Sequence, residues 1–439
     1  MSNAELERAA IAPSLWIASS SDDRDDDDEL INVESFDHPE PAILNGMYLV
    51  PGGRYLITSA PGYLCMWNLG YVGKSELWGV MRNWDTTINV FDDLVVQPTP
   101  DGLGIRILTY APPCVNNLAV TSSNVVIHCR LDNTVYVFEA YPQKDPVTFQ
   151  AVGSLQLNLR ELEKNVIYSL NGNRVVIFDR KRGTIIVWDF IVNVVASWFV
   201  SSSSLMDEVP FFNCPGVEDS LPTCFKKIIQ VTETTVIILH SDPRPSLWIF
   251  RIPPLTSKTP LFDKEEDLPE LLPVLTFEYP DLASPSGCQK PDSWYNAGRN
   301  LLPLYFDLLP RRNEYEPTRY KLDIASDLSS VSLVPVADLK MTIQQHFNYQ
   351  QNNHSMEYRI CEDRPINCLR HGEKVEVFTS STSYGTTDGV SSDCHGQTLT
   401  AHGVNSRRLV NTATPFSFCP ASGRLAEMRD GKIFIADFV

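Results

Sequence analysis

Pairs of short apolar runs recur along the chain, and a tight turn separates the two runs of each pair. Between Tyr55 and Leu69 the run YLITSA is followed by Pro61-Gly62 and then by YLCMWNL. Proline and glycine preset the backbone dihedrals of turns, and residues such as Ile, Thr, Tyr and Trp favour strands. The pattern predicts a β-hairpin over this stretch.

Similar pairs follow further along the chain, with intervals of irregular length between them. The candidate pairs are 124–129 with 134–139, 175–180 with 184–190, 235–240 with 246–250, 304–309 with 320–324, and 423–428 with 432–438. An aromatic residue recurs near the end of the second strand, at Trp67, Phe138, Trp188 and Phe250. Such self-similarity is typical of repeat architectures. The hairpin is therefore predicted to be a repeating unit.

Many of these runs are apolar at consecutive positions, as in VVIF at 175–178 and IIVW at 185–188. In an antiparallel sheet with one solvent-exposed face, apolar and polar residues alternate along each strand. Strands that are apolar at consecutive positions must therefore be covered on both faces. The radial stacking of small sheets in a β-propeller provides that cover, whereas a β-sandwich covers only one face of each sheet. About 26 candidate strands suffice for six or seven four-stranded blades. The sequence therefore predicts an all-β fold, a β-propeller of six or seven blades with seven slightly preferred; a pair of β-sandwiches is the alternative.

The last candidate strand, 432–438, lies at the C-terminal end of the sequence, so its sheet needs a strand from another part of the chain. The natural donor is the N-terminal part, at 14–17 or 32–36, which would close the ring and hide two strand edges. Helical periodicity is scarce, and only 155–164 and 337–346 could form a turn or two of helix. We predict an acidic, partly disordered tail over 1–40 and a single β-propeller domain over 41–439.

Charge is concentrated at the N-terminus of this 439-residue chain. Residues 1–40 hold twelve acids against two arginines and so carry −10 of the net charge of −18. The acidic run from Asp22 to Glu29 lacks the spaced ligands and glycine of a calcium loop, and it is predicted to be a solvated linker. An acidic balance argues against nucleic-acid binding, and no apolar run reaches the roughly 20 residues of a membrane span. Without a secretory leader, and with ten scattered cysteines, the chain is expected to be intracellular, cytoplasmic or nuclear.

Four stretches carry a resemblance to a known family. They are LVPGGRYLITSAPGYLCMWNL, PLYFDLLPRR with RYKLDI, YRICEDRPINC, and the ending FCPASGRLAEMRDGKIFIADF. In this order they resemble the propeller-like C-terminal region of mushroom-type fungal F-box proteins, over roughly residues 40–439. The resemblance implies the substrate-recognition part of a ubiquitin-ligase receptor, which recruits a Skp-type adaptor only if an F-box is present in a longer gene model.

The F-box pattern itself is not visible in the first forty residues, which are acidic. The run LPELL at 268–272 mimics the opening of an F-box, yet Pro273 would end that helix almost at once. It is predicted to be an inter-strand loop. The similarity to WD-repeat propellers is looser, because Trp84-Asp85 and Trp188-Asp189 are the two Trp-Asp pairs in the sequence.

Catalytic and metal-binding motifs are not recognisable. The sequence has no phosphate-binding glycine loop, no nucleophile elbow and no zinc-binding helix motif. The residues Cys361, Cys368, His371, Cys394, His395 and His402 lack the paired close spacing of structural zinc sites. We therefore predict that the protein is not an enzyme and binds no cofactor or metal. A propeller enzyme with a site in the central channel, or a decayed duplicate without a selected partner, are the alternatives.

Several predicted hairpin tips carry cations that could meet on one rim of the ring. They are Arg180, Lys181 and Arg182 in one tip, Arg244 in a second, and Arg311 and Arg312 in a third. Guanidinium groups bind carboxylates and phosphates in two-pronged fashion, so such a rim suits an acidic or phosphorylated peptide. The predicted function is a non-catalytic protein-interaction scaffold, with Trp67, Trp188 and Trp248 in the core rather than at the ligand.

Overall fold

The computed structural model describes the strands and many of their connecting turns. The described residues are 32–37, 44, 46–60, 63–70, 76–82, 94–111, 133–144, 147–157, 166–179, 183–200, 225–231, 234–240, 246–256, 268–278, 304–308, 318–325, 328, 330–338, 355–361, 364–371, 374–380, 394–400, 416–419, 422–429 and 431–437. The elements of regular secondary structure assigned within these residues are all β-strands. No helix long and apolar enough to span a membrane occurs in the described part of the chain.

The strands are short and follow one another along the chain. In chain order they are β1 (Asn32–Asp37), β2 (Gly46–Leu49), β3 (Tyr55–Ala60), β4 (Tyr63–Asn68), β5 (Glu76–Arg82), β6 (Val95–Pro98), β7 (Ile105–Ala111), β8 (Asn133–Ala140), β9 (Phe149–Leu157), β10 (Val166–Asn171), β11 (Arg174–Asp179), β12 (Thr184–Asp189), β13 (Val194–Val200), β14 (Phe225–Val231), β15 (Thr235–His240), β16 (Ser246–Arg251), β17 (Glu270–Leu271), β18 (Leu275–Glu278), β19 (Leu304–Leu308), β20 (Thr318–Ile324), β21 (Val331–Asp338), β22 (Ser355–Cys361), β23 (Arg364–His371), β24 (Lys374–Ser380), β25 (Cys394–Thr400), β26 (Phe416–Cys419), β27 (Arg424–Arg429) and β28 (Lys432–Asp437).

These strands form seven sheets of the meander type. Their strand orders are β2-β3-β4-β5 in sheet I, β6-β7-β8-β9 in sheet II, β10-β11-β12-β13-β17 in sheet III, β14-β15-β16-β18 in sheet IV, β19-β20-β21 in sheet V, β22-β23-β24-β25 in sheet VI, and β26-β27-β28-β1 in sheet VII. Neighbouring strands are antiparallel except for β13 and β17, which are parallel.

The repeated hairpin of the sequence is confirmed at five of its six copies. The paired strands are β3 with β4, β11 with β12, β15 with β16, β19 with β20, and β27 with β28. The pairing of 124–129 with 134–139 is wrong: β8 pairs with β7 on one edge and with β9 on the other, and a strand has only two edges. Residues 124–129 themselves lie outside the described part of the chain.

Consecutive apolar residues of one strand are buried alternately on the two faces of its sheet, as predicted. On β11, Val175 and Ile177 pack into a cluster shared with sheet II, whereas Val176 and Phe178 pack into a cluster shared with sheet IV. All four are 0% exposed. Since side chains alternate across a strand, sheet III is buried between its two neighbours.

Sheets I to V pack face to face in chain order, and sheet VII packs back against sheet I. Shared apolar clusters join I to II, II to III, III to IV, IV to V, and VII back to I. Strand β22 of sheet VI contacts β26 of sheet VII. The first strands of neighbouring sheets also meet, since β10 contacts β6 and β14, and β2 contacts β26. This is a β-propeller, and wherever these contacts are described the first strand of the sheet is innermost.

The ring is closed by the N-terminal strand, and of the two donors that the sequence suggests, 14–17 and 32–36, the second is the one that pairs. Strand β1 pairs antiparallel with β28 along its whole length and so completes sheet VII beside the three C-terminal strands. Phe36 on β1 also packs against Trp67 of sheet I, with ring centroids 4.6 Å apart. The seven described sheets would supply one blade each of a seven-bladed ring, and the blade number of the whole chain stays a prediction. The domain boundary at residue 40 also stays a prediction, with β1 on its N-terminal side.

The LPELL segment lies in an excursion between the third and fourth strands of sheet IV. After β16 the chain crosses back to sheet III, where Thr256 pairs with Val195 and β17 adds a parallel strand beside β13. It then returns to sheet IV as β18. The segment is thus inter-strand, as predicted, but contains a two-residue strand. The described parts of the two helix candidates, 155–157 and 337–338, are strand.

Candidate interaction surface

The ring has two opposite faces that differ in which turns they carry. The end of each sheet that holds the turn between its second and third strands is named the hairpin face. In sheets III and IV these turns leave the same face of the ring. Thr256, which follows β16, pairs with Val195 near the start of β13. Both residues lie at the end of their sheet that is opposite to this turn, so the two sheets have the same orientation. The opposite end, with the first-to-second and third-to-fourth turns, is named the clamp face.

The cations predicted from the sequence all lie outside the described residues. Arg180, Lys181 and Arg182 follow Asp179 and precede Gly183, between the second and third strands of sheet III; Arg244 occupies the same place in sheet IV. Both connections therefore start from the hairpin face of adjacent sheets. The connection with Arg311 and Arg312 joins the first two described strands of sheet V, β19 and β20.

The strand ends beneath the first of these connections form a rigid base. Asp179 and Thr184 pair across the hairpin and are 5% and 2% exposed. The N–H of Val200 on β13 donates to the carbonyl of Gly183 over 2.8 Å. In sheet IV the corresponding residue Ser246 is 4% exposed. A ligand on the hairpin face would therefore meet connections whose bases are already ordered.

On the clamp face a buried arginine joins sheet II to sheet III. The Arg106 Nε donates to Glu139 Oε1 over 2.7 Å, and the two side chains are 5% and 12% exposed. Its Nη1 donates to the carbonyl of Gly172 and to Asn173 Oδ1, both at 2.9 Å. The guanidinium also lies 5.0 Å from the ring centre of Phe190. One side chain thus ties its own sheet to two turns of the next.

A second buried arginine joins sheet VII to sheet I in the same manner. Arg424 forms a two-pronged ion pair with Asp437, and its Nη1 donates to the carbonyls of Gly53 and Gly70 over 2.8 Å. Gly53 lies in the first-to-second turn of sheet I and Gly70 follows its third strand. We name these two sets, Arg106 with Glu139 and Arg424 with Asp437, the interblade clamps.

Sequence reasoning missed the clamps, although a signal for them exists. In each case an arginine near the start of the second strand pairs directly across from an acid near the end of the third. Sheet III repeats the pattern with Arg174 opposite Asp189, where Nε and Oδ2 are 4.0 Å apart. The signal is recognisable only once the strands are aligned. The clamps are structural and leave no free cation for a ligand.

The three tryptophans named from the sequence lie in the core, as predicted. Trp67 is 4% exposed and its Nε1 donates to Thr58 Oγ1 over 3.0 Å. Trp188 is fully buried and donates to Asn193 Oδ1 over 3.2 Å. Trp248 is 4% exposed, within the cluster between sheets III and IV. None of the three is available to a ligand.

The cysteine and histidine residues of sheet VI do not converge on one point. Cys361 ends β22 and Cys394 begins β25 at the same end of the sheet, while His371 ends β23 at the other end. Strands β22 and β25 are three intervals apart, roughly 14 Å at the usual strand spacing. His402 lies outside the described residues. No group of three or more potential ligands that could hold a metal ion occurs within the described ranges.

One turn on the clamp face holds its carboxylate in the charged form. The Thr99 hydroxyl donates to Asp101 Oδ1, and so does the N–H of Leu103 over 3.0 Å. These hydrogen bonds lower the pKa of Asp101 below its ordinary value of 3.8, with the Thr99 bond as the larger cause. The resulting contribution to stability is full above the unfolded pKa and is lost as pH falls through the lower folded pKa.

Thr99→Val is therefore expected to raise the pKa of Asp101 toward its ordinary value, because the larger of the two stabilising bonds is removed. Carbon-detected NMR of the Asp101 carboxyl during a pH titration measures the shift. Thr148→Val, at an exposed threonine just before β9 of the same sheet, is the control and should leave the titration midpoint in place. An unchanged midpoint in Thr99→Val would contradict the assignment.

The strand order and the closed ring define the chain as a β-propeller. No family model matches the sequence, and no curated protein matches it. Among solved structures, the WD40 domain of SCAP from fission yeast is similar at 10% identity and a TM-score of 0.39, covering 90% of this chain and 84% of that one. Sqt1 from Chaetomium thermophilum is similar at 11% identity and a TM-score of 0.38, covering 90% and 83%.

Proposed function

We propose that the protein is a non-catalytic interaction scaffold whose hairpin face binds an acidic or phosphorylated segment of a partner protein. One observation carries the proposal: two cationic connections, at 180–182 and at Arg244, start from the same face of two adjacent sheets. The bases of both are buried, so less conformational entropy is lost when a ligand binds. The body of the chain is acidic, which makes a local group of cations there a specific feature.

The proposed ligand follows from the chemistry of the cations. Arginine presents a planar fork of donors that matches a phosphate or carboxylate, and it stays charged at all physiological pH values. Arg180, Arg182 and Arg244 supply three such forks. Arg311 and Arg312, in the connection between β19 and β20 of sheet V, are not part of the proposed site, which is limited to the adjacent sheets III and IV.

The test is a binding measurement with a defined peptide. A fluorescein-labelled, Asp- and Glu-rich phosphoserine peptide is titrated with the protein, and anisotropy gives the Kd. Replacing Arg180, Lys181 and Arg182 together by Glu is expected to weaken binding at least about tenfold, since attractive charges become repulsive. Salt should weaken binding of the original protein more than that of the variant.

Arg251→Glu is the matched control, because it reverses an exposed cation at the clamp-face end of β16. It should leave the peptide Kd unchanged. Equal affinity of the triple variant and the original protein would contradict the proposal. So would a ligand preference for Lys-rich over phosphorylated peptides.

We propose further, from the family resemblance, that the partner is a substrate of a ubiquitin ligase and that the chain acts inside the cell as the recognition part of an F-box-like receptor. The mid-chain LPELL segment does not supply the F-box, since β17 is a strand on the outer edge of sheet III. Affinity purification from a fungal host, with detection of Skp-type adaptor, tests this step. Recovery of substrates without adaptor would contradict the receptor role and leave the scaffold role in place.

A further inference from the structure

The acidic run of the N-terminal region is attached to the ring at the clamp face. Strand β1 begins at Asn32, which pairs with Asp437, and Asp437 in turn pairs with Arg424 at the start of β27. Arg424 follows the first-to-second turn of sheet VII, and such turns define the clamp face. The chain before Asn32, with the acidic run 22–29, therefore joins sheet VII at that face.

Contacts between neighbouring sheets show that the clamp face is the same side of the ring from sheet VII to sheet IV. The interblade clamps align sheet VII with sheet I and sheet II with sheet III, because each arginine contacts the first-to-second turn of the next sheet. At the opposite ends, a Cβ built on Gly46 of β2 would lie 3.1 Å from the Cβ of Leu94, just before β6, which aligns sheet I with sheet II. The pairing of Thr256 with Val195 aligns sheet III with sheet IV.

The cations of the proposed site lie on the other face and on the far side of the ring. The connections with 180–182 and with Arg244 start from the hairpin face of sheets III and IV. In chain order, sheet III is three sheets from sheet VII through I and II, and sheet IV is three sheets from it through VI and V. The acidic run and the cations are thus attached at opposite parts of the ring.

The acidic run of one chain is too short to reach these cations in the same chain. Asp22, its most distant acid, is ten residues before Asn32, and ten residues span at most about 36 Å. The route would follow the outer edge of sheet VII, roughly 20 Å for the six residues of β1, and then cross about three sheet spacings of about 10 Å each. This path of about 50 Å exceeds the length of the segment.

The acidic run has the chemistry of the ligand proposed for the hairpin face. It holds seven acids and Arg24 within eight residues, a net charge of −6, and no other eight-residue window of the sequence holds as many acids. The connections 180–182 and 241–245 hold four cations and one acid, Asp242. Arginine forks bind carboxylates in two-pronged fashion, so the two segments are complementary in charge.

We propose that the acidic run of one copy binds the cationic connections of sheets III and IV of another copy. The inference rests on the proposed function, because the run takes the place of the acidic partner segment. One ring's clamp face then meets the next ring's hairpin face, and such a head-to-tail contact lets further copies add in turn. A phosphorylated partner on the hairpin face displaces the run, so partner binding and self-association exclude each other.

A fluorescein-labelled peptide of residues 20–31 tests the contact directly. The receptor is the full chain with the four substitutions from Asp25→Asn to Asp28→Asn, named the neutral-run variant, so that its own run does not compete. Anisotropy should show saturable binding of the peptide. Changing 180–182 to Glu in this receptor should raise the Kd at least about tenfold, whereas Arg251→Glu, at the clamp-face end of β16, should leave it unchanged.

Sedimentation velocity tests the association of the full chain over about 1 to 100 μM, the range of a weak specific contact. The original protein should shift from monomer to larger species across this range, and the neutral-run variant should stay monomeric. Glu5→Gln with Glu7→Gln, which removes two acids outside the run, is the control and should associate like the original protein. Saturating phosphoserine peptide should return the original protein to monomer.

The two peptides separate failure of this inference from failure of the proposed function. Binding of the phosphoserine peptide without binding of the 20–31 peptide would overturn the inference and leave the proposed function in place. If neither peptide binds, both are wrong. An original protein that stays monomeric, or a neutral-run variant that associates equally, would also overturn the inference. Circular dichroism establishes that each variant is folded.

Discussion

Arg424→Ala is expected to lower the free energy of unfolding by about 3 to 5 kcal/mol, the usual cost of leaving one partner of a buried ion pair without the other. The Arg424 and Asp437 side chains are 7% and 13% exposed, so water cannot replace the lost contacts easily. The variant also frees the carbonyls of Gly53 and Gly70, which Arg424 holds from the neighbouring sheet. Because this clamp lies where the ring closes, its loss should loosen the junction between the first and last sheets.

Guanidinium unfolding followed by tryptophan fluorescence measures this effect. Lys432→Ala is the control on the same sheet, because its contact with Asp37 is 3.7 Å long and joins side chains that are 51% and 83% exposed. Exposed ion pairs of this kind contribute about 0 to 1 kcal/mol. A double-mutant cycle with Asp437→Ala separates the pair from the carbonyl contacts. Equal loss in Arg424→Ala and Lys432→Ala would show that the clamp does not stabilise the ring.

Trp188→Ala should also cost about 3 to 5 kcal/mol, through lost burial and the cavity that remains between sheets II and III. The side chain is fully buried, donates to Asn193 and packs edge to face against Phe190 with ring centroids 6.0 Å apart. Gly153 of sheet II lies directly against the indole, since a Cβ built there would be 3.1 Å from it. The melting temperature and the guanidinium midpoint should both fall.

Trp188→Phe provides the matched comparison for this prediction. It keeps most of the apolar volume and loses the hydrogen bond to Asn193, so its cost should be clearly smaller. Val192→Ala, four residues further on at a side chain that is 64% exposed, should change stability by less than about 0.5 kcal/mol. A melting temperature unmoved by Trp188→Ala would contradict the place of this residue in the core.

The two interblade clamps are contacts that local sequence patterns do not predict. Arg424 and Gly53 are 371 residues apart in the chain, and Arg106 and Gly172 are 66 apart. Their contacts depend on which sheet is the neighbour of which, and on the register of each strand pair. The wrong partner assigned to β8 has the same cause, since 124–129 and Ile105–Ala111 are both suitable strands and only packing selects between them.

The residues of the candidate site also fall into those that the sequence reveals and those that it does not. The sequence identifies the cations at 180–182 and 244 as residues of adjacent hairpins, because the hairpins are local and their turns are visible. The exposure of Leu103 and Val192 was not predicted, since they are ordinary apolar residues whose exposure is decided by the turns that carry them. Asp101 and Asp189 look like any turn acid until their bonds to the backbone are known.

The local pattern of the sequence determined the strands, the hairpins and the burial of sheet III on both faces. These features depend on side-chain alternation and turn residues, which act over a few positions. Only the tertiary structure decided the clamps and the excursion of β17. These contacts join residues far apart in the chain, and they form only when the stacked sheets bring the residues together.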